Sequence, residues 1–251
     1  MTETRSPPNM PYRKQQFVND EIYHIILRGI DDNLIFKDIN DYYRGIFSIY
    51  EFNNVKSVEI LRRRREIQTI KRKLRKGGDR MSSISDTRNK IVEVLLFCFM
   101  PNHIHLLVKQ LKDGGITKFM RKVGAGYGRY FNRKYNRRGY VFQNRFLAIR
   151  IKDNNQLKTI FVYIHTNPIA LVEPNWKEKG IKNPGKTIKF LENYKWSSYP
   201  DYIFKKNFPS VTERNFILKI IKKEQDCKEL VEHWVKYRGK IRKLAKLTLG
   251  E

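Results

Sequence analysis

Two histidines one residue apart, His103 and His105, stand in the stretch FMPNHIHLLV at Phe99–Val108. Side chains of an extended strand alternate between faces, so the two imidazoles project side by side while Ile104, Leu106 and Val108 point the other way, into a core. Two imidazoles held in that way can grip one metal ion. Met100-Pro101-Asn102 breaks the preceding apolar run Val94–Phe99, which predicts a hairpin whose second strand opens with the histidines. The pair then sits near a sheet end, where a substrate can reach it.

A second pairing lies further along the chain. Tyr163 and Asn167 are four residues apart in a predicted helix, Asn154–Asn167, that Pro168 stops. They share one helix face, about 6 Å apart along its axis. Laid over the histidines, that face lets the Asn167 oxygen complete a three-ligand metal site and turns the Tyr163 hydroxyl toward a metal-bound phosphate. A nucleophile then stands beside a Lewis acid. His165 falls on the opposite helix face and is read as a packing or phosphate-contact residue. Tyr127, Tyr130, Tyr135 and Tyr140 compete as nucleophiles; of these four, Tyr140 alone has an Asn or Gln four residues on, Asn144, but it follows Gly139 in a segment with little helical pattern. His24 and His233 show no partner pattern and are read as having no chemical role.

Charge narrows the partner. The chain of 251 residues carries 52 Lys and Arg against 25 Asp and Glu, a net +27, and its 13% aromatic content argues against a disordered basic tail. A folded protein with a polyanionic partner follows, and nucleic acid is the expected one. Within Gly126–Phe146, cations alternate with rings, so that charges can track phosphates while rings stack on unpaired bases. The residues expected to face DNA are Arg129, Arg133, Lys134, Arg137, Arg138, Tyr140, Gln143 and Arg145, with Gln143 and Asn144 equipped to read base edges. Alternatively the rings line the inner face of a helix, since Tyr127, Tyr130 and Phe131 fall at i, i+3 and i+4. The longest apolar run, Ile91–Met100, is interrupted by Glu93 and falls short of the roughly 20 residues of a membrane span. The first residues lack the apolar core of a secretory signal. Cys98 and Cys227 offer neither a disulfide framework nor a zinc spacing, so a reducing cytoplasm is expected.

The elements that must position these groups follow from periodicity. Phe17–Gly29 is predicted as a strand with Tyr23, Ile25 and Leu27 on one face and His24 on the other. Asp38–Asn53 reads as an amphipathic helix through Tyr42, Tyr43, Ile46, Phe47 and Tyr50, weakened by Gly45. Residues 57–90 hold twelve Lys and Arg against four acids and predict a protruding basic helix ending at Gly77-Gly78. The hairpin Val92–Lys109, a helix from Thr117 to Tyr135, a strand Phe146–Ile151 and the Asn154–Asn167 helix follow. This is an α+β order compatible with a ferredoxin-like antiparallel sheet. From Ser210 the pattern turns helical: Ser210 and Glu213 suggest a capping box, and Phe216, Ile220, Leu230 and Trp234 the buried sides of two closing helices.

In order, FMPNHIHLLV, YFNRKYNRRGYVFQNRF, YIHTNPIALVEP and YKWSSY (Tyr194–Tyr199) resemble the REP-associated tyrosine transposases, a branch of the single-tyrosine HUH transposases. The resemblance runs from about Met10 to Tyr202. It implies a ferredoxin-like HUH core over residues 1–205, with the basic stretch 57–90 as an insertion, and a helical extension over 206–251. It also implies Mg²⁺ or Mn²⁺ bound by His103, His105 and Asn167, with Tyr163 as nucleophile. The implied reaction is cleavage and rejoining of single-stranded DNA through a 5′-phosphotyrosine, on palindromic, REP-like hairpins. The enzyme would act as a monomer or homodimer in a prokaryotic cytoplasm, at the nucleoid. A non-catalytic nucleic-acid-binding protein of the same fold is the alternative, and a metal nuclease in which water attacks is a third reading.

Overall fold

Alternating apolar residues make Ile22–Arg28 the first strand, β1, which buries Tyr23, Ile25 and Leu27 on one face. The computed structural model describes residues 16–75, 86, 88–143 and 145–249. β1 is shorter than the predicted Phe17–Gly29 because Asp20 takes a left-handed backbone (φ 64°) that ends the extended run. Helix α1 (Ile39–Glu51) starts at a capping box: the Asp38 carboxylate accepts from the backbone of Asn40 and Asp41, and Asp41 accepts from the Asp38 N–H. Then come α2 (Ile60–Arg75), the hairpin β2 (Val92–Met100) and β3 (His103–Gln110), α3 (Gly115–Lys134), β4 (Leu147–Ile151) and α4 (Asn154–Thr166). Among the described residues the strands form one antiparallel sheet in the order β2-β3-β1-β4. With β1 and β3 central and helices linking β1 to β2 and β3 to β4, this is the ferredoxin-like α+β architecture expected from the element order.

Each face of the sheet has its own core. Ile25, Phe97, Phe99, Ile104, Leu106 and Val108 pack under α1 and α3. The other face carries His24, His103, His105, Leu107 and Cys98, and is covered by α4 and the C-terminal helices. These are α5 (Trp176–Lys179), α6 (Pro184–Asn193), α7 (Tyr199–Tyr202), α8 (Arg214–Ile221) and α9 (Glu224–Leu249). β3 is therefore buried on both faces along most of its length, where alternation alone had suggested a half-buried strand.

Several local expectations change. Pro168 does not end the chain's coiling: α4 tightens after Thr166 into a 3-10 turn, Asn167–Leu171, because proline has no N–H to donate to Ile164. Glu213 is the N-cap position of α8 and makes no capping bond there; its carboxylate pairs with Lys90 instead, so the Ser210/Glu213 capping box is absent. The buried column of the closing helices is Ile217, Ile221, Cys227, Val231 and Val235. Phe216, Ile220, Leu230 and Trp234, one position earlier, lie half-buried along its edge. Both columns are apolar, and compact side chains fill the narrow seam while larger ones lap its rim. The Gly77-Gly78 helix end, Asn144 and the first fifteen residues lie outside the described residues. Among the described residues no helix is long and apolar enough to cross a membrane.

Gly45 tests how α1 meets the sheet. A Cβ there would lie 2.5 Å from the Phe99 ring and 2.9 Å from that of Phe36. Helix propensity alone predicts that Gly45→Ala stabilises by about 1 kcal/mol; overpacking predicts a loss of about 1–3 kcal/mol. The expected outcome is net destabilisation, read as a lower urea midpoint at unchanged m-value.

Candidate active site

β3 holds His103 and His105 on the face covered by α4, opposite Arg28 and Ile26 of β1. The His103 side chain is held by its neighbour: Nδ1 lies 2.6 Å from Oδ1 of Asn102. An amide oxygen can accept but not donate, so His103 carries its proton on Nδ1 and keeps a lone pair on Nε2. His105 is 1% exposed, and its Nδ1 lies 3.0 Å from Nε2 of His24. The buried Nε2 of His105 has no hydrogen-bond partner among the described residues. Desolvation pushes His24 and His103 down to about 4 and His105 well below 6.5, so all three rings are neutral at pH 7. Neutral imidazole is the form that binds metals.

α4 brings the phenol to this cluster. Asp153 caps the helix by accepting from the Gln156 N–H, and Leu157, Phe161 and Ile164 sink into the core. This orientation leaves Tyr163 37% exposed, its ring edge-on to His105 (centroids 5.6 Å apart) and to His24 (5.8 Å). Asn167 turns its amide nitrogen back to the Tyr163 carbonyl (2.7 Å), a bond that leaves Oδ1, the coordinating atom of a carboxamide, uncommitted. An orphaned ring nitrogen, neutral imidazoles and an amide oxygen on the adjoining helix suit a divalent cation. Among the described residues no three His, Cys, Asp or Glu side chains group so as to hold a metal ion.

The structure thus brings His103, His105 and Tyr163 together and adds His24, which the sequence reading had left without a role. The signal was available: His24 alternates with Tyr23 and Ile25, and once β1 is placed beside β3 it must share a face with the histidine pair. His165, on the far side of α4, is a packing residue. Its Nε2 bonds the Ser198 hydroxyl at 2.9 Å, its ring packs against Phe161, and burial pushes it down to about 3. Ser198 belongs to YKWSSY, which straps the free edge of β2: Phe99 donates to the Trp196 carbonyl, Ser198 donates to the Phe97 carbonyl, and the Tyr194 hydroxyl donates to the Phe99 carbonyl.

Of the residues expected to face DNA, Arg129, Arg133, Arg138, Gln143 and Arg145 are exposed, Arg137 is half-buried, and Tyr140 is 72% exposed. Tyr127 and Phe131 are buried, Tyr127 packing on both Phe131 and Phe142, so these rings line the inner face of α3. Lys134 is exposed as well, its ammonium paired to Asp38 (2.6 Å) and Asp41 (2.7 Å). A groove of about 480 Å³, bounded by Arg121, Gly128, Arg129, Tyr140, Gln143 and Phe146, runs along α3. Its loop passes the end of β1, where Gln143 donates to the Arg28 carbonyl, and Arg28 is the strand partner of His103. In α2, Nε of Arg63 donates to both oxygens of the buried Glu51, tying the basic helix to the end of α1.

Residues 53–167, which run through β2, β3, α3, β4 and α4 to Asn167, match the family described as IS200-like transposase. No match is found among curated proteins. Among solved structures, that of a REP-associated tyrosine transposase bound to a REP hairpin is similar at 13% identity and a TM-score of 0.39, over 82% of this chain and 96% of that one.

The neutral histidines set a pH dependence. Between 6.5 and about 4 the unfolded chain takes up protons that folded His24 and His103 refuse, so stability is complete above 6.5 and is lost as pH falls through that window. His24 alone contributes about 3 kcal/mol to the difference. Thermal unfolding between pH 7 and pH 4.5 should show a falling midpoint in the natural chain and a shallower fall in His24→Gln.

Proposed function

We propose that the chain, whose residues 53–167 match the family described as IS200-like transposase, is a DNA transposase of the REP-associated tyrosine type, a single-stranded DNA endonuclease and strand transferase. The observation that carries this reading is the Tyr163 ring set edge-on to the buried, neutral His105 beside His103. Binding alone would need no phenol beside such a cluster. His103 and His105, through Nε2, and Asn167, through Oδ1, would hold Mg²⁺ or Mn²⁺. Bound there, the ion supplies Lewis-acid polarisation of a phosphate oxygen.

The Tyr163 hydroxyl attacks the scissile phosphorus in line with the departing 3′ oxygen. The new bond is phenol oxygen to phosphorus, the bond broken is phosphorus to O3′, and the proton lost by the phenol ends on the free 3′-OH. A 5′-phosphotyrosine results. Because one ester replaces another, attack by a second 3′-OH rejoins strands and returns the phenol without ATP. The phenol and the histidine rings lie together within one chain.

The DNA would approach over the α3 groove. Arg129, Arg133, Arg137, Arg138 and Arg145 meet phosphates there, while Tyr140 stacks on a base and Gln143 reads a base edge. Lys134 contributes indirectly, by anchoring the end of α3 to Asp38 and Asp41. We assign residues 1–205 to the catalytic domain, with 57–90 as a basic insertion, and 206–251 to an extension whose α8 and α9 back α4 and β2. The substrate would be a palindromic hairpin with single-stranded flanks, met at the nucleoid in the cytoplasm.

Incubation with Mn²⁺ and such a labelled oligonucleotide should yield an adduct that survives denaturing electrophoresis. Tyr163→Phe should abolish it, and an adduct surviving in that variant would overturn the assignment of the nucleophile. His103→Ala should lower adduct formation by about 100-fold or more while gel-shift affinity for the oligonucleotide stays within about threefold.

A further inference from the structure

His24 lies outside the family-matched residues, and no step of the phosphoryl transfer uses it. It is nevertheless 2% exposed in the middle of a central strand, with Nε2 3.0 Å from Nδ1 of His105 and the two rings within 14° of parallel. One proton lies between those nitrogens, and its owner decides what the far side of His105 can do. Either way Nε2 of His105 is buried without a partner among the described residues; if His24 donates, that atom is an N–H, which no cation can occupy. If His105 donates, Nε2 carries a lone pair.

His103 shows the same design with the ambiguity removed, because the Asn102 oxygen beside its Nδ1 can only accept. We infer that His24 is a positioning residue that accepts the Nδ1–H of His105, fixing the tautomer and ring plane that leave Nε2 free for the divalent ion. His24 thus does for His105 what Asn102 does for His103. Outer partners of this kind orient metal-binding imidazoles and raise their basicity. The inference rests on the metal reading proposed above, but the tautomer it assigns belongs to the protein itself.

Two substitutions separate hydrogen bonding from packing against Tyr163. His24→Phe keeps a ring and removes the acceptor; His24→Gln keeps an acceptor and removes the ring. Nitrogen-15 spectra of the histidine side chains should show His105 as the Nδ1–H tautomer in the natural chain and as a mixture in His24→Phe. Mn²⁺ affinity, measured by calorimetry without DNA, should fall about 10–100-fold in His24→Phe and recover to within about threefold in His24→Gln. An Nε2–H tautomer in the natural chain, or a His24→Phe variant matching it in both tautomer and Mn²⁺ affinity, would overturn the inference; should His24→Phe fail to fold, the natural chain's spectrum decides. A natural chain that binds no Mn²⁺ would overturn the metal reading, and the nitrogen spectrum would still settle the tautomer.

Discussion

Desolvation of three imidazoles on the inner face of a central sheet is the constraint around which the molecule is arranged. Burial takes His24 and His105 out of water and leaves His103 half-buried, and desolvation keeps all three neutral. A buried polar nitrogen needs a partner, so each ring is committed on one side: His103 to Asn102 and His105 to His24. What remains is the unpartnered Nε2 of His105.

Holding that cluster dry requires cover on the sheet face that α1 and α3 do not reach. α4 supplies it, and it is backed in turn by α6, α8 and α9. The strap at residues 194–202 closes the free edge of β2 and reaches α4 through the Ser198 hydroxyl on His165. Pairing the edge strand in this way also removes an exposed template for association with another chain. On the opposite face, Lys134 joins the end of α3 to the start of α1 through Asp38 and Asp41, so a residue in a basic stretch serves cohesion of the scaffold.

Much of this was legible along the chain. Alternation placed Tyr23, Ile25 and Leu27 opposite His24, and Ile104, Leu106 and Val108 opposite the histidine pair, as observed. The i, i+4 spacing of Tyr163 and Asn167 survived Pro168 because the tightened 3-10 turn keeps helical dihedrals at Asn167. The misreadings have a common cause. Local pattern cannot tell a fully buried column from the half-buried one beside it, as with Ile217 and Phe216, nor say whether Glu213 caps its own helix or pairs with distant Lys90. The α6 helix and the β2 strap were not read as elements, since their apolar residues serve faces that exist only once the sheet has formed.

The amino-acid sequence by itself determined which faces are apolar, the order of strands and helices, and which residue types could bind a metal or attack a phosphate. These properties depend on spacing over a few residues and on side-chain chemistry. Only the tertiary structure decided that His24 joins the pair, that His165 packs inside, that Lys134 pairs with Asp38 and Asp41, and that the imidazoles are neutral. Each of these depends on what lies across the sheet or beneath a helix, where distance in space and exclusion of water, rather than position along the chain, fix hydrogen-bond partners and charge.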